Sequence, residues 1–364
     1  MDCYVLDQNF NSIAYIDSFE SLIWTDRYNS AGDFELYMAM EQRWLEYLKV
    51  DNYLWTAKSE HLMIIEQIYI TSDSEDGNHL KVIGKSLESI LDRRIVWTQT
   101  VYRGQFQDCI KKIIEDAIIN PSIPERRIEN FVFEESTDPR ITKADFKMEA
   151  EYTGDNLYDI ITTLCRDQHI GYKITLNDQN QFVFKLYVGE NRTYEQTVYP
   201  YVIFSPGYEN LINSSYLDSV EIYKTITLVA GEGEGTARKT TTVGDGNGLL
   251  RRELFTDARD ISSDTDAGTL TNDQYMELLR QRGVENLDDY KHRIAFEGEA
   301  ETTQMFVFGK DFFIGDVVQT EDEWGHTGES RIVEFIMSQD NNGLSMYPTF
   351  EIVNEGLINE GGNS

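Results

Sequence analysis

Hydrophobic and polar residues alternate along the first hundred positions with the two-residue period of half-buried β-strands. Short β-branched and aromatic runs, Tyr4-Val5-Leu6, Ile13–Ile16, Ser21–Thr25 and Phe34–Met38, are separated by Asp, Asn, Ser and Gly. A longer run over Leu62–Thr71 enters the polar turn Asp73-Ser74-Glu75-Asp76-Gly77-Asn78 and returns over Leu80–Ile83, which predicts a hairpin. Gln42–Leu48 and Ser86–Leu91 fit short helical stretches.

After residue 100 the period changes. Phe106, Cys109, Ile110, Ile113, Ile114 and Ala117 recur at helical spacing and stop before Pro121. Leu157, Ile160, Ile161, Leu164 and Cys165 repeat that stripe, with Asp155 in position to cap the helix and Gly171 just beyond its end. Cys109 and Cys165 fall on the core faces and read as small buried apolar residues. Tyr172–Leu176, the turn Asn177-Asp178-Gln179-Asn180 and Phe182–Tyr187 predict a second hairpin. This middle third reads as a compact α/β domain.

From residue 201 the pattern is β again. Val220–Ala230 and Ala237–Val243 flank Gly231-Glu232-Gly233-Glu234-Gly235, and Leu249–Phe255 adds a strand. Asp257–Asn272 is an acidic loop and Asp273–Tyr290 a weakly periodic helix. Strands resume at Arg293–Gly298, Asp316–Thr320, Ser330–Met337 and Leu344–Phe350. An internal echo links the two β regions: Asn52–Thr56 precedes Ile64-Ile65-Glu66-Gln67-Ile68 and an acidic turn, and Asp316–Thr320 precedes Ile332-Val333-Glu334-Phe335-Ile336 and Asp340-Asn341-Asn342-Gly343.

Composition bounds the function. The chain carries 64 Asp plus Glu against 32 Lys plus Arg, a formal net charge of −32. Such a surface is repelled by phosphate backbones and anionic membranes, so stable nucleic-acid binding is not expected. At 364 residues with 40% hydrophobic content, two or three domains with real cores are expected. No apolar run approaches the ~20 residues that span a bilayer, and Met1-Asp2-Cys3-Tyr4 does not resemble a signal peptide. Three cysteines without CxxC spacing suit a chain made in a cytoplasm.

Candidate chemistry is sparse. Gly231–Gly235 lacks the spacing of a phosphate loop, carries two carboxylates and sits between strands, so it reads as a hairpin tip. Asp245-Gly246-Asn247-Gly248 and Asp257, Asp260, Asp264 and Asp266 lack the EF-hand spacing for calcium. The five histidines form no HxxxH pair, and no G-x-S-x-G elbow occurs. No catalytic residue, metal ligand or cofactor site is assigned. Trp24, Trp44, Trp55, Trp97 and Trp324 could offer stacking surfaces for a glycan, although core positions are the commoner place for Trp in β-proteins.

Several stretches together resemble the tail proteins of the ReqiPepy6 gp37-like siphovirus family. They are Tyr4-Val5-Leu6-Asp7, Glu20–Trp24, Gly32–Leu36, Ser86–Arg94, Tyr152–Leu157, Leu228–Gly235, Ala258–Ser262 and Gly315–Val318, in order along nearly the whole chain. The resemblance implies a mainly β, gp27-like baseplate hub: two tube-like β-barrel domains plus a small α/β domain, forming a trimer. The expected bounds are barrel one at 1–100, the α/β domain at 101–200, barrel two with a helix at 201–354 and a flexible tail at 355–364. A strand from about Val198–Tyr223 would cross to complete the first barrel. Implied partners are two further copies of the chain, the distal tail ring, the tape measure protein and a tip or receptor-binding protein. The implied place is the virion tail tip. Relatives extend into a peptidase, lysozyme or receptor-binding part, which here is expected to be missing or on another chain. Glu232 and Glu234 are candidate acids for the lumen of a DNA conduit. A tip-borne cell-wall hydrolase and a receptor- or glycan-binding protein are the rival readings.

Overall fold

The structure, a computed structural model, describes residues 1–74, 77–265, 268–300, 305–325 and 327–353. Glu75 and Asp76 of the predicted turn, Asp266, His326 and the expected tail lie outside them. The alternating first segment forms β1 (Cys3–Leu6), β2 (Ser12–Ile16), β3 (Ser21–Arg27), β4 (Asp33–Ala39), β5 (Tyr53–Trp55), β6 (Met63–Asp73) and β7 (Gly77–Ser86). Six later strands join them: β8 (Ile203–Phe204), β9 (Leu211–Ser219), β10 (Arg293–Ala300), β11 (Val317–Glu321), β12 (Thr327–Asp340) and β13 (Gly343–Ile352). The result is one 13-stranded sheet in the order β9-β10-β13-β12-β3-β4-β7-β6-β5-β1-β2, with β11 on β12 and β8 on β11.

Among the described residues the sheet forms no closed barrel, so the chain is mainly β without the two closed barrels expected. The physical reason is β3. One of its edges pairs with β4, and the other pairs with β12 from Ser21↔Asp340 to Arg27↔Glu334. The edge that would close a barrel in the first half is used to join the halves. Two strands do arise within Val198–Tyr223, but they serve the second half: β8 pairs with β11 and β9 with β10.

The internal echo has a topological counterpart. In the first half the order β3-β4-β7-β6-β5 is antiparallel throughout, and β9-β10-β13-β12-β11 repeats it strand for strand. Both copies carry a β-bulge inside the echoed quintet, between Ile65 and Gln67 in β6 and between Ile332 and Glu334 in β12. A bulge bends its strand and increases local twist, so both copies curve at matching places. Alternate residues of these strands, including Trp24, Phe34, Leu36, Val82, Phe335 and Phe350, fill one core shared by both halves. Each such ring or branched chain contributes roughly 1.5–3 kcal/mol when fully buried.

Two units are inserted into this frame. The first follows β7. Its amphipathic helix α1 (Phe106–Ile114) continues as a π-helical stretch over Glu115–Ile119, and α2 (Leu157–Asp167) packs in the same core. Thr100–Gln105 pairs with Lys147–Tyr152, and Phe182–Tyr187 lies between Gly171–Leu176 and a parallel strand, Phe131–Glu134. Asn156, not Asp155, caps α2: its Oδ1 accepts from the backbone of Tyr158 and Asp159, while Asp155 accepts from Thr153 in the preceding turn. All three cysteines are buried, and burial pushes the Cys109 thiol up to about 11 and Cys3 to about 12.

The second unit interrupts the connection from β9 to β10. Ile226–Ala230 is flanked by Thr240–Gly244 and Glu253–Asp257, and α3 (Asn272–Asp288) covers one face with Tyr275, Leu278 and Leu279. Thr271 and Gln274 cap α3 reciprocally, a signal present in the sequence and overlooked there.

Gly84 tests the first bulge. It stands opposite Ile65, and a Cβ there would lie 1.8 Å from the Ile64 carbonyl oxygen and 2.6 Å from the Phe34 ring. Gly84→Ala is expected to destabilise the protein by at least ~3 kcal/mol, the upper range for overpacking, because a carbonyl cannot swing aside as a side chain can. Chemical denaturation measures it, and a loss under ~1 kcal/mol would mean that the bulge yields freely.

Candidate functional site

A cluster of buried polar groups lies where the main sheet meets the first inserted unit. Asp26 near the end of β3 accepts from Trp24 Nε1 at 3.1 Å and from Ser59 Oγ at 2.7 Å. His61 Nδ1 lies 3.2 Å from Glu88 Oε1, which also accepts the backbone N–H of Ile174 at 2.7 Å. All three ionisable side chains are buried. Burial opposes the charge on His61, but Glu88 and Asp26 overcome it and raise the imidazole to about 9. Glu88 is held below the usual carboxylate range by His61 despite its burial, whereas burial raises Asp26.

Asp26, Ser59 and His61 edge a cleft of about 580 Å³, lined also by Lys58, Lys173, Tyr187 and Phe313. Ser59, His61 and Asp26 are the residue types of a nucleophilic site, yet their arrangement does not activate a nucleophile. The Ser59 hydroxyl donates to Asp26 and accepts from the His61 backbone, and an imidazole already protonated at neutral pH cannot serve as a base. What the cluster does is fasten: β3, the turn before β6, the segment after β7 and the inserted unit share one buried charge network.

A second fastening lies on the far side of the cleft. Asp316 accepts from Arg192 Nε at 2.6 Å, from the Glu190 backbone at 2.7 Å and from the Phe313 backbone at 3.0 Å. Gly189 and Gly315 meet there backbone to backbone: a Cβ on Gly189 would lie 2.0 Å from the Gly315 carbonyl carbon. Gly315, at φ +94°, also lies under the Tyr28 ring.

A third polar junction joins the two inserted units. Arg166 at the end of α2 pairs with Asp289 at 2.6 Å, and Arg282 of α3 pairs with Asp260 at 2.9 Å. Between them are more acids than cations. Asp167 has a buried oxygen without a hydrogen bond, and burial lifts its carboxyl to about 7, with Glu285 and Asp289 adding to the rise against Arg166 and Lys291. Burial likewise raises Glu285, which faces Gln281, Arg282, Tyr152 and Asp155.

The residues singled out in the sequence are not gathered into a site. Glu232 is tied to Lys239 at 3.1 Å and accepts from the Ser263 backbone at 3.1 Å, while Glu234 is exposed at the tip. Asp257 pairs with Arg238, Asp260 with Arg282, and Asp264 accepts from Thr269, so these acids serve separate partners. Among the described residues no cluster of three His, Cys, Asp or Glu could hold a metal ion. Trp24 and Trp44 are core residues, and Trp55, Trp97 and Trp324 are exposed at separate places in the chain. The buried network of Asp26, His61 and Glu88 escaped sequence reading, since with 64 acids no carboxylate–His pairing stands out.

Both charge clusters lose stability as pH rises, over different windows. His61 is raised from its ordinary 6.5 to about 9, so its contribution is complete below pH ~6.5 and fades as pH climbs to ~9. His61→Ala leaves two buried carboxylates uncompensated and is expected to lose about 3–5 kcal/mol, read by denaturant unfolding at pH 7. Asp167, raised from 3.8 to about 7, favours the folded junction at low pH and ceases to do so as pH rises through ~7. Hydrogen exchange over α3 is therefore expected to quicken between pH 5 and pH 8 after correction for intrinsic rates. Asp167→Asn should flatten that rise, and an unchanged slope would discount the junction.

Comparison with known proteins gives a consistent picture. A tail protein from Neisseria meningitidis MC58 superposes with a TM-score of 0.58 at 12% identity, over 98% of this chain and 97% of its own. The prophage MuSo2 43 kDa tail protein of Shewanella oneidensis gives 0.57 at 12% identity over 96% and 98%, and prophage tail protein gp18 of Listeria monocytogenes gives 0.53 at 15% over 98% and 95%. At such identities the likeness is one of fold. A search of curated proteins matched none of them. The family model described as siphovirus ReqiPepy6 Gp37-like protein matches residues 2–350, and with nearly the whole chain inside that match, this protein belongs to the siphovirus ReqiPepy6 Gp37-like family.

Proposed function

We propose that the chain is a structural hub subunit of the tail tip, assembling as a homotrimer that caps the tail tube and forms part of the DNA conduit. The observation that supports this reading most is the twice-repeated five-strand unit. A protomer with two similar units lets three copies supply six to a ring matched to a sixfold tube. Among the described residues the sheet also ends openly at β2 and β9, each paired on one side, and at the two-residue β8, paired only with β11. Free strand edges invite pairing with another chain, and a subunit whose two long free edges, β2 and β9, differ suits a head-to-tail ring. The tube-like character sought in each half would then belong to the trimer.

Within that ring we assign the lumen to acidic residues, with Glu234 at the exposed tip of the second inserted unit as a candidate and Glu232 beside it in its ion pair. An acidic wall repels the duplex and keeps it moving. The proposed neighbours are a distal tail ring, a tape measure protein and a tip or receptor-binding protein. No helix among the described residues is long and apolar enough to cross a membrane.

Three chains together carry a formal charge of about 96 negative, three times 32, and salt screens this repulsion over roughly 10 Å at 0.1 M. Mass photometry is expected to show trimers that gain population from 0.02 to 0.5 M salt, with threefold rings in negative-stain images. A monomer at every salt concentration would count against an autonomous hub. Purified protein should retain no duplex DNA even at low salt, and should leave Gram-positive cell walls uncleared in a zymogram. Clearing by the isolated chain would favour the hydrolase reading instead.

A further inference from the structure

Residues 190–210 leave the first inserted unit and cross to the main sheet, and this crossing gathers exposed aromatic rings. Six tyrosines among the described residues are at least 40% exposed, and four of them, Tyr194, Tyr199, Tyr201 and Tyr208, fall here. The rings of Tyr194 and Tyr201 meet edge to face with centroids 5.4 Å apart, and the Tyr194 and Tyr208 hydroxyls are hydrogen-bonded neighbours. β8 runs parallel to β11, so the strap lies beside Glu321 and the loop that follows it, where Trp324 is 84% exposed.

The strap is held in shape from within. Gln196 Oε1 accepts from the backbones of Val198 and Tyr199, and its Nε2 donates to the carbonyls of Thr193 and Tyr199. Arg192 is anchored on Asp316 beneath, with its guanidinium 5.6 Å from the Tyr199 ring centre. Rings presented on a fixed loop lose little freedom on binding, which is the usual condition for aromatic anchors at an interface.

Charge sets the kind of partner. Glu195, Glu209, Glu321 and Glu323 are exposed among these rings, and none of the four is in an ion pair among the described residues. The one Lys or Arg in residues 190–210 and 319–325 is Arg192, which is buried. A second copy of this chain would bring the same negative charge, and a nucleic acid would bring phosphates. Guanidinium and ammonium groups meet both features at once, by ion pairing with the carboxylates and by lying over the ring faces.

We propose that this strap, with Trp324 beside it, docks an Arg- or Lys-rich segment of another protein. The test uses the full chain and a labelled dodecapeptide of repeated Arg-Gly-Ser, measured by fluorescence anisotropy at about 0.15 M salt, where long-range attraction to the acidic surface is largely screened. The same peptide with Glu for Arg is the charge control, and an N-acetylglucosamine tetramer is the glycan competitor.

Wild type is expected to bind the Arg peptide and not the Glu peptide. Tyr199→Ala/Tyr201→Ala and, separately, Trp324→Ala should each weaken binding by at least about tenfold. Tyr15→Ala/Tyr69→Ala, which removes exposed rings elsewhere, should leave it within about twofold. Trp324 is almost wholly in solvent, so its variant remains informative if the double tyrosine variant unfolds. Failure of wild type to bind, full binding by the Trp324 variant, displacement by the tetramer, or loss of self-association in place of peptide binding would each overturn the proposal.

Discussion

Strand β3 is the constraint on which the architecture depends. Both of its edges are hydrogen-bonded, one to its own half and one to the other. Once this central strand is shared, neither half can curl shut by itself, and the free edges are displaced to the far ends of the sheet. The apolar core then runs continuously under both halves, because the faces of a continuous sheet cannot be partitioned. The two inserted units hang from connections of this sheet and leave its hydrogen bonding intact.

How the inserted units are fixed follows a different physics. At the first, buried acids are balanced by His61 and Arg192, with backbone N–H groups filling the remaining acceptor positions. At the second, between α2 and α3, carboxylates outnumber the bases and shift towards protonation. The same surplus of acids that keeps the surface soluble thus becomes, at one domain contact, a source of weakness. A ring of such subunits would have one inserted unit attached firmly and the other attached conditionally.

The sequence made the local elements legible and left the long-range ones hidden. The hairpin of β6 and β7 was readable because its alternation and its acidic turn are adjacent in the chain. The helix over Phe106–Ile114 was readable because its stripe repeats at helical spacing. The echo between Ile64–Ile68 and Ile332–Ile336 also pointed to matching strands, and the two bulges lie within it. Whether the strands close into barrels was not legible, because alternation tells which face a strand buries and says nothing about the partner of each edge. The cap at Asn156 was missed by one residue since neighbouring Asp155 is equally able to accept. Ion pairs such as Asp316 with Arg192, 124 positions apart, leave no mark in a chain so rich in acids.

The pairing of β3 with β12 also sets an order of events during synthesis. Arg27 and Glu334, whose side chains meet at 2.6 Å, are 307 positions apart. At the usual ~5–20 residues per second of translation, about 15–60 s pass between the appearance of one and the other. For that interval the nascent chain holds an exposed strand edge and half of an unfinished core, both prone to join a neighbouring chain. Several ribosomes on one message would present such edges side by side. A dense negative charge on every nascent copy keeps them apart until the last two strands emerge, and this gives the acidity a use long before any particle is assembled.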